Sequence, residues 1–271
     1  MNSRAGRPYL ATVNSFYSSI LGEVERAGYS PRELLLLANT HLYYGRYLNP
    51  RLRNYFVQTV MPRIASAMAY LSVDRPGRCI MDLGCGLGMQ SIIFASLGAK
   101  VVGVDVREEA IALCWKRKDY YERKLNQPLD VEFVHGDFGV AFPGNARARF
   151  DGAFSKSAFS YIVPLERTVE VISQVLKGDA RVFLYEANSS CVLNPARSRA
   201  EPDPERVAAT FACEGFKRDF LLGGCSLPAI FWRVPALNAP LLHPLDNLLR
   251  KSLYLSFNYI LGVSRGGPWT G

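Results

Sequence analysis

The chain has 271 residues, 49% of them apolar, and its 32 lysines and arginines outnumber 24 acids to leave a formal charge of +8. That length suits one large domain or a core with a modest appendage, and that balance belongs to a folded chain, not a disordered one. Six cysteines without a C-x-x-C pair and only three histidines leave no zinc-site spacing, so no metal is expected, and no apolar run approaches the roughly 18 residues of a membrane-spanning helix.

Residues 1–74 read as an all-helical leader, with helices over 10–27, 31–39 and 50–72. Ser30-Pro31-Arg32-Glu33 sets a cap serine before a first-turn proline and acid. Thr12, Asn14, Ser15, Ser18 and Ser19 interrupt the apolar stretch near the start, which makes a poor signal peptide, and a reduced, cytoplasmic protein is expected. Eight arginines against three acids in residues 1–63 suit phosphates, acidic headgroups or an anionic substrate. No arginine-rich run with interleaved aromatics appears, so nucleic acid is not a clear partner. In Thr40–Asn49, Tyr44 and Tyr47 are candidates for an aromatic lid over a substrate, with ordinary helix packing as the simpler alternative.

After Arg75-Pro76-Gly77 the pattern changes to short apolar runs alternating with amphipathic stretches. Strands are expected at 79–83, 100–106, 131–135, 150–155 and 181–186, and helices at 89–97, 108–124 and 165–176. Lys177-Gly178-Asp179 reads as a turn. Such alternation implies a parallel sheet covered on both faces.

The first strand runs into Gly84-Cys85-Gly86-Leu87-Gly88 and then a helix, so backbone amides can approach a ligand closely. A dinucleotide fingerprint, G-x-G-x-x-G, needs its third glycine where Met89 stands. Asp82, at the end of the first strand, suits an ammonium group and repels a pyrophosphate that brings no metal. Asp105, at the end of the second strand, suits ribose hydroxyls. Together these favour a cationic amino-acid nucleoside over NAD.

The stretch Ile80–Gly88, with Val102-Gly103-Val104-Asp105, Gly136-Asp137-Phe138, Arg149–Ser155 and Val175–Glu186, resembles the class I S-adenosylmethionine-dependent methyltransferases over about residues 75–188. The family's usual Leu-Lys-Pro-Gly-Gly is Leu176-Lys-Gly-Asp-Ala180 here. The resemblance implies a Rossmann-like α/β fold: a doubly wound, seven-stranded, mostly parallel sheet with an antiparallel last strand, its late strands near 216–222 and 255–263. It divides the chain into the leader, 1–74, and a cofactor-binding domain, 75–271, within which 189–250 forms a substrate-side loop and apolar cover. It implies S-adenosylmethionine as cofactor. Asp82 and the loop Gly84, Cys85, Gly86 and Gly88 would hold its methionine part, Asp105 and Val106 the ribose, Gly136, Asp137 and Phe138 the adenine, with Ser155 alongside.

Nothing after the fourth strand resembles the Asn/Asp-Pro-Pro-Tyr of base- and amide-directed enzymes; the chain reads Ser155–Tyr161 there. The carboxyl ends of strands face the crevice in open α/β sheets, which makes Tyr161, Lys156 and Glu186 the catalytic candidates, ahead of His135. Ser157, Asn188 and Trp232 join the two tyrosines as substrate-binding candidates. Residues 188–206 are a candidate lid, and the apolar segment 221–249 with Arg250 and Lys251 is either a greasy channel with shallow membrane contact or plain cover for the sheet. The expected reaction is methyl transfer to a small, hydrophobic or anionic acceptor, first to a hydroxyl of a natural product, glycan or lipid. The alternatives are transfer to carbon or nitrogen of a quinone-like or amine metabolite, RNA methylation, a non-catalytic cofactor-binding protein and an NAD oxidoreductase. The oligomeric state is left open.

Overall fold

The computed structural model describes residues 6–39, 47–138, 148–192, 203–227, 231–233 and 237–266. The leader forms α1 (Arg7–Ser18), α2 (Ile20–Arg26), α3 (Pro31–Asn39), α4 (Pro50–Tyr55) and α5 (Met61–Leu71), with a π-helical turn, Phe56–Val60, joining the last two. The single helix expected over 10–27 is two, divided at Ser19, whose hydroxyl turns back onto the carbonyl of Phe16 at 2.7 Å. Such a local bond competes with the helical ladder. The start of α3 is a reciprocal capping box: the Glu33 amide donates to the Ser30 hydroxyl at 3.3 Å, and the Ser30 amide donates to the Glu33 carboxylate at 2.6 Å.

Seven strands follow: β1 (Cys79–Leu83), β2 (Lys100–Asp105), β3 (Val131–His135), β4 (Phe150–Lys156), β5 (Leu176–Ala187), β6 (Lys217–Cys225) and β7 (Asn258–Ser264). They lie in the order β3-β2-β1-β4-β5-β7-β6. The ladders from β3 to β5 are parallel, and β7 runs antiparallel between β5 and β6. Helices α6 (Met89–Ser96), α7 (Glu108–Leu125), α8 (Leu165–Val175), α9 (Pro204–Cys213) and α10 (His243–Leu249) complete the described chain. The expected turn at 177–179 is a bulge inside β5. The ladder jumps from Phe150 opposite Leu176 to Gly152 opposite Arg181, and Lys177 Nζ reaches back to Asp151 Oδ1 at 2.9 Å. The last strand starts at Asn258, because 253–255 turn as a 3-10 segment before it.

Leader and sheet share a core. Val13, Phe16, Tyr17 and Ile20 pack in one apolar cluster with Ile92, Phe94, Phe154 and Phe183, while Val169, Ile172, Val207 and Phe211 fill the opposite face. Within the first cluster lies a fully buried ion pair. Arg117 of α7 donates to both carboxylate oxygens of Glu23 of α2, at 2.6 and 3.1 Å, and Tyr29 and Tyr121 add hydroxyl donors to that carboxylate at 2.7 and 2.8 Å. The guanidinium holds the Glu23 carboxyl below the usual carboxylate range even though burial pushes it up. Its remaining nitrogen donates to the carbonyl of Leu87, inside the glycine loop.

Removing one partner strands the other charge in an apolar core, so Glu23→Gln lowers unfolding stability in urea by about 3 to 5 kcal/mol. The double replacement, Glu23→Met with Arg117→Met, recovers only part of that loss, because the Tyr29 and Tyr121 hydroxyls and the Leu87 carbonyl lose these partners.

Candidate active site

The three loop glycines have positive φ, +67°, +57° and +70°, a region that side chains enter at a cost. Their surroundings differ. A Cβ at Gly84 would lie 2.2 Å from the Cβ of Ala158, and one at Gly88 would lie 2.8 Å from the ring of Phe133. At Gly86 the nearest atom is the flexible end of Arg107, 3.6 Å away. Gly84 and Gly88 serve packing, and Gly86 presents bare backbone to open space.

Asp105 closes the loop from the end of β2. Its carboxylate accepts from the Gly86 amide at 2.9 Å, the Arg107 amide at 3.0 Å and Arg107 Nε at 3.1 Å. Arg107 carries no signal in the sequence beyond standing two residues after an acid. Val106 is exposed beside it, its carbonyl 3.1 Å from His135 Nε2. Gly136 donates its amide to the Asp105 carbonyl at 3.1 Å; Asp137 is exposed, whereas Phe138 is buried in the core against the far face of the sheet.

Asp82 is buried beneath the loop and accepts a 2.5 Å hydrogen bond from Ser91 Oγ. Burial pushes its pKa up to about 7, with Asp105 adding to the rise and Ser91 and Lys156 opposing it. Ser91 sits in the first turns of α6, nine residues from Asp82 in sequence, and only the turn of the loop brings the two together. The same helix start is tied to the leader, where Gln90 Nε2 donates to the Tyr17 hydroxyl at 2.7 Å.

The residues after β4 and β5 face inward more than their positions imply. Glu186 is fully buried and accepts from Ser155 Oγ at 2.9 Å, Ser160 Oγ at 3.1 Å, the Phe159 amide at 3.2 Å and the Ala158 amide at 3.3 Å. Burial raises its pKa against these donors. It therefore staples the segment after β4, in which Ser157 holds a strained φ of +55°. Ser155 is enclosed in that same bonding, with Oγ also 3.1 Å from the Leu83 carbonyl. Lys156 is buried, its ammonium 5.6 Å from the centre of the Tyr185 ring. Tyr161 is 70% exposed on the rim.

Among the substrate candidates, Asn188 is buried and donates to the carbonyls of Leu253 and Ser256 at 2.6 and 2.8 Å, which fixes the approach to β7. Tyr47 packs between Tyr17 and Phe56 in the leader core. Trp232 is buried with Tyr55, Cys225 and Leu242, edge-on to His243. Both aromatics are core residues, as spacing could not reveal. Tyr44 and most of the candidate lid lie outside the described residues. Thus the structure gathers Asp82, Gly86, Asp105, Asp137 and Tyr161 at one edge of the sheet and turns Glu186, Asn188, Phe138, Tyr47 and Trp232 away from solvent.

Residues 81–184 match the family described as Methyltransferase domain. The fold agrees with the magnesium protoporphyrin IX methyltransferase of Synechocystis PCC 6803, solved with bound SAM, at a TM-score of 0.51 and 17% identity over 89% of this chain and all of that one. Residues 81–184 carry a methyltransferase-family domain, and the fold around them is that of class I S-adenosylmethionine-dependent methyltransferases. S-adenosylmethionine is the cofactor bound by the Synechocystis enzyme. The chain is 30% identical over 152 residues to sterol methyltransferase-like 2 of Botryococcus braunii, an alignment that covers 55% of this chain and 37% of that protein. It is 37% identical over 84 residues to the cypemycin N-terminal methyltransferase of a Streptomyces species, 30% of this chain and 31% of the relative. It is 30% identical over 142 residues to a sterol 24-C-methyltransferase of Pneumocystis carinii, 52% of this chain and 34% of the relative. The alignments span about a third of each of these relatives.

A carboxyl whose pKa is raised on folding binds its proton more tightly in the native state. Asp82 therefore lowers stability progressively as pH rises from about 4 to about 7, and the deficit stays constant above. Urea unfolding at about pH 5 and about pH 8 then shows a smaller loss at the higher pH for Asp82→Asn than for the unmodified protein, by about 1 to 3 kcal/mol.

Proposed function

We propose that this methyltransferase alkylates a small, apolar, isoprenoid- or sterol-like acceptor, and does so at carbon. One observation carries the reading: Glu186, the one carboxylate among the three catalytic candidates, is buried and committed to four donors that hold the segment after β4. A hydroxyl acceptor needs its proton removed as it reacts, which asks for a free base. An alkene brings its own electron pair. The names of the sterol relatives support a lipid acceptor, and one specifies carbon as the site of transfer. The oxygen-directed transfer expected from sequence has no such support.

The residues present fit the cofactor. Gly86 leaves open space where a side chain would intrude, and Asp82 is a buried acid whose pKa is raised because burial outweighs the opposing effects of Ser91 and Lys156. In this reading Asp82 faces the ammonium end, Gly84, Cys85, Gly86 and Gly88 the carboxylate and sulfur region, Asp105 and Val106 the ribose, and Gly136 and Asp137 the adenine. When bound, the cofactor supplies an electrophilic methyl carbon whose bond to sulfur breaks with the electrons returning to sulfur. The chain's own part is alignment and exclusion of water. Asp105 holds the loop through the Gly86 amide, Glu186 keeps the segment after β4 in place, and Tyr161 lines the mouth. After attack by an alkene the acceptor would carry the positive charge; a neighbouring C–H bond would then break, its electron pair closing a new double bond and its proton leaving to solvent at the exposed mouth beside Tyr161.

Calorimetry with S-adenosylmethionine and S-adenosylhomocysteine tests the cofactor assignments. Asp82→Ala abolishes binding, and Gly86→Ala lowers affinity at least tenfold while costing only about 1 to 2 kcal/mol of stability. Retained binding in both would overturn the assignments. For the acceptor, label from methyl-tritiated cofactor enters alkene-bearing isoprenoids and sterols but not their saturated counterparts with the same hydroxyl. Labelling of the saturated hydroxyl compounds would instead establish oxygen as the target.

A further inference from the structure

The segment between β6 and β7, residues 226–257, returns to the edge of the sheet where the site lies. Cys225, at its start, and Asn258, at its end, are paired neighbours, and Asn258 also pairs with Ala187, one residue past Glu186. Its anchors face inward. The Asp246 carboxylate accepts from the amides of Ser226 and Leu227 at 2.8 and 3.0 Å, and Asn188 fixes the carbonyls of Leu253 and Ser256.

What faces outward is apolar and basic. Phe231, Leu237, Leu241, Leu245, Leu248 and Tyr254 are all exposed. Leu241, Leu245 and Leu248 are spaced to share one face of the helical turn that runs through α10. Isolated exposed leucines are ordinary, but this many in one short segment mark a contact surface. Asp246 is the segment's single acid and is buried, so its outward charges, on Arg233, Arg250 and Lys251, are all positive. Beside the C-terminal end of α10 a cleft of about 280 Å³ is lined by Arg63, Arg250 and Lys251, with no carboxylate in its walls.

We propose that the described exposed residues between 237 and 254 form a membrane-docking surface, with the face of Leu241, Leu245 and Leu248 entering an anionic bilayer and the Arg63, Arg250 and Lys251 cleft receiving a phospholipid headgroup. Apolar area and cationic charge together favour the anionic interface over a neutral one. The charge pattern also favours lipid over a second copy of this chain, whose own cations would meet across the contact. Docking here sets the mouth of the site against the bilayer, so a lipid acceptor moves into the crevice without crossing water. This last consequence rests on the lipid-acceptor reading above; the docking surface does not.

The test is co-sedimentation of the full 271-residue chain with vesicles of phosphatidylcholine alone and of phosphatidylcholine mixed with phosphatidylglycerol. Binding to the anionic vesicles alone, falling as salt is added, is expected. Arg250→Glu with Lys251→Glu weakens it by about 25-fold or more, taking roughly fivefold for each cation lost. Leu245→Ser with Leu248→Ser weakens it by at least tenfold, taking the burial lost with each leucine. Both variants keep cofactor binding by calorimetry, which shows that they are folded. The proposal is overturned if the unmodified chain stays in the supernatant with anionic vesicles at low salt, or if neither variant changes the bound fraction. It is equally overturned if ultracentrifugation finds a dimer that the leucine variant dissolves while vesicles are ignored. A failure of the acceptor panel with vesicle binding intact would remove the lipid-acceptor reading and leave the docking surface standing.

Discussion

A single buried charge pair ties the two ends of this structure together. Glu23 belongs to the leader and Arg117 to the helix after β2, and the guanidinium that satisfies one also holds the carbonyl of Leu87 in the glycine loop. A loop with three residues at positive φ has little stiffness of its own. Its shape is imposed from outside, by Arg117 on one carbonyl, by Asp105 on the Gly86 amide, and by Tyr17 on the helix that follows through Gln90. Two of these three supports involve the leader. The leader therefore holds the glycine loop in a mechanical sense, through Arg117 and Gln90.

The same region holds an electrostatic expense that folding alone does not explain. Asp82 lies under the loop with Ser91 as its neutral donor and the like charge of Asp105 nearby, and burial has raised its pKa to about 7. A neutral residue would be cheaper there. Carboxylates kept in such places are functional candidates because a cationic ligand repays the desolvation. Glu186 is the instructive contrast. It is also buried and raised, yet its donors come from the protein, and what they fix is the course of the chain after β4. One carboxylate is left with the neutral donor Ser91, and the other positions the chain after β4.

The placement of β7 gives the late part of the chain its role. Because β7 runs antiparallel between β5 and β6, the connection from β6 begins and ends at the carboxyl edge of the parallel strands. Its two ends, Cys225 and Asn258, therefore lie at the same edge of the sheet as the strand ends that carry Asp82 and Asp105. Asp246 and Asn188 turn its polar groups inward and leave leucines and cations outside.

Short-range pattern was enough to find the sheet and the glycine loop after its first strand. The alternation of apolar runs with amphipathic helices, the glycine spacing, and acids at two strand ends are local features, each confined to a few residues and set by backbone geometry that neighbours cannot alter. The capping box at Ser30 and Glu33 was legible for the same reason. The direction of a side chain at a strand's end is another matter. Glu186, Asn188 and Trp232 looked alike from spacing, as polar or aromatic residues near the crevice, and it took the packed chain to show that donors from residues 155–160, carbonyls at 253 and 256, and the neighbours of α10 draw them inward. Ser91 meets Asp82, and Arg117 meets Glu23 across 94 positions, only because the loop and the leader close over them. Local sequence determined which elements form and where a ligand's backbone cradle lies; tertiary packing decided which polar groups remain free to act, because a hydrogen bond between distant residues leaves no trace in the pattern of either one.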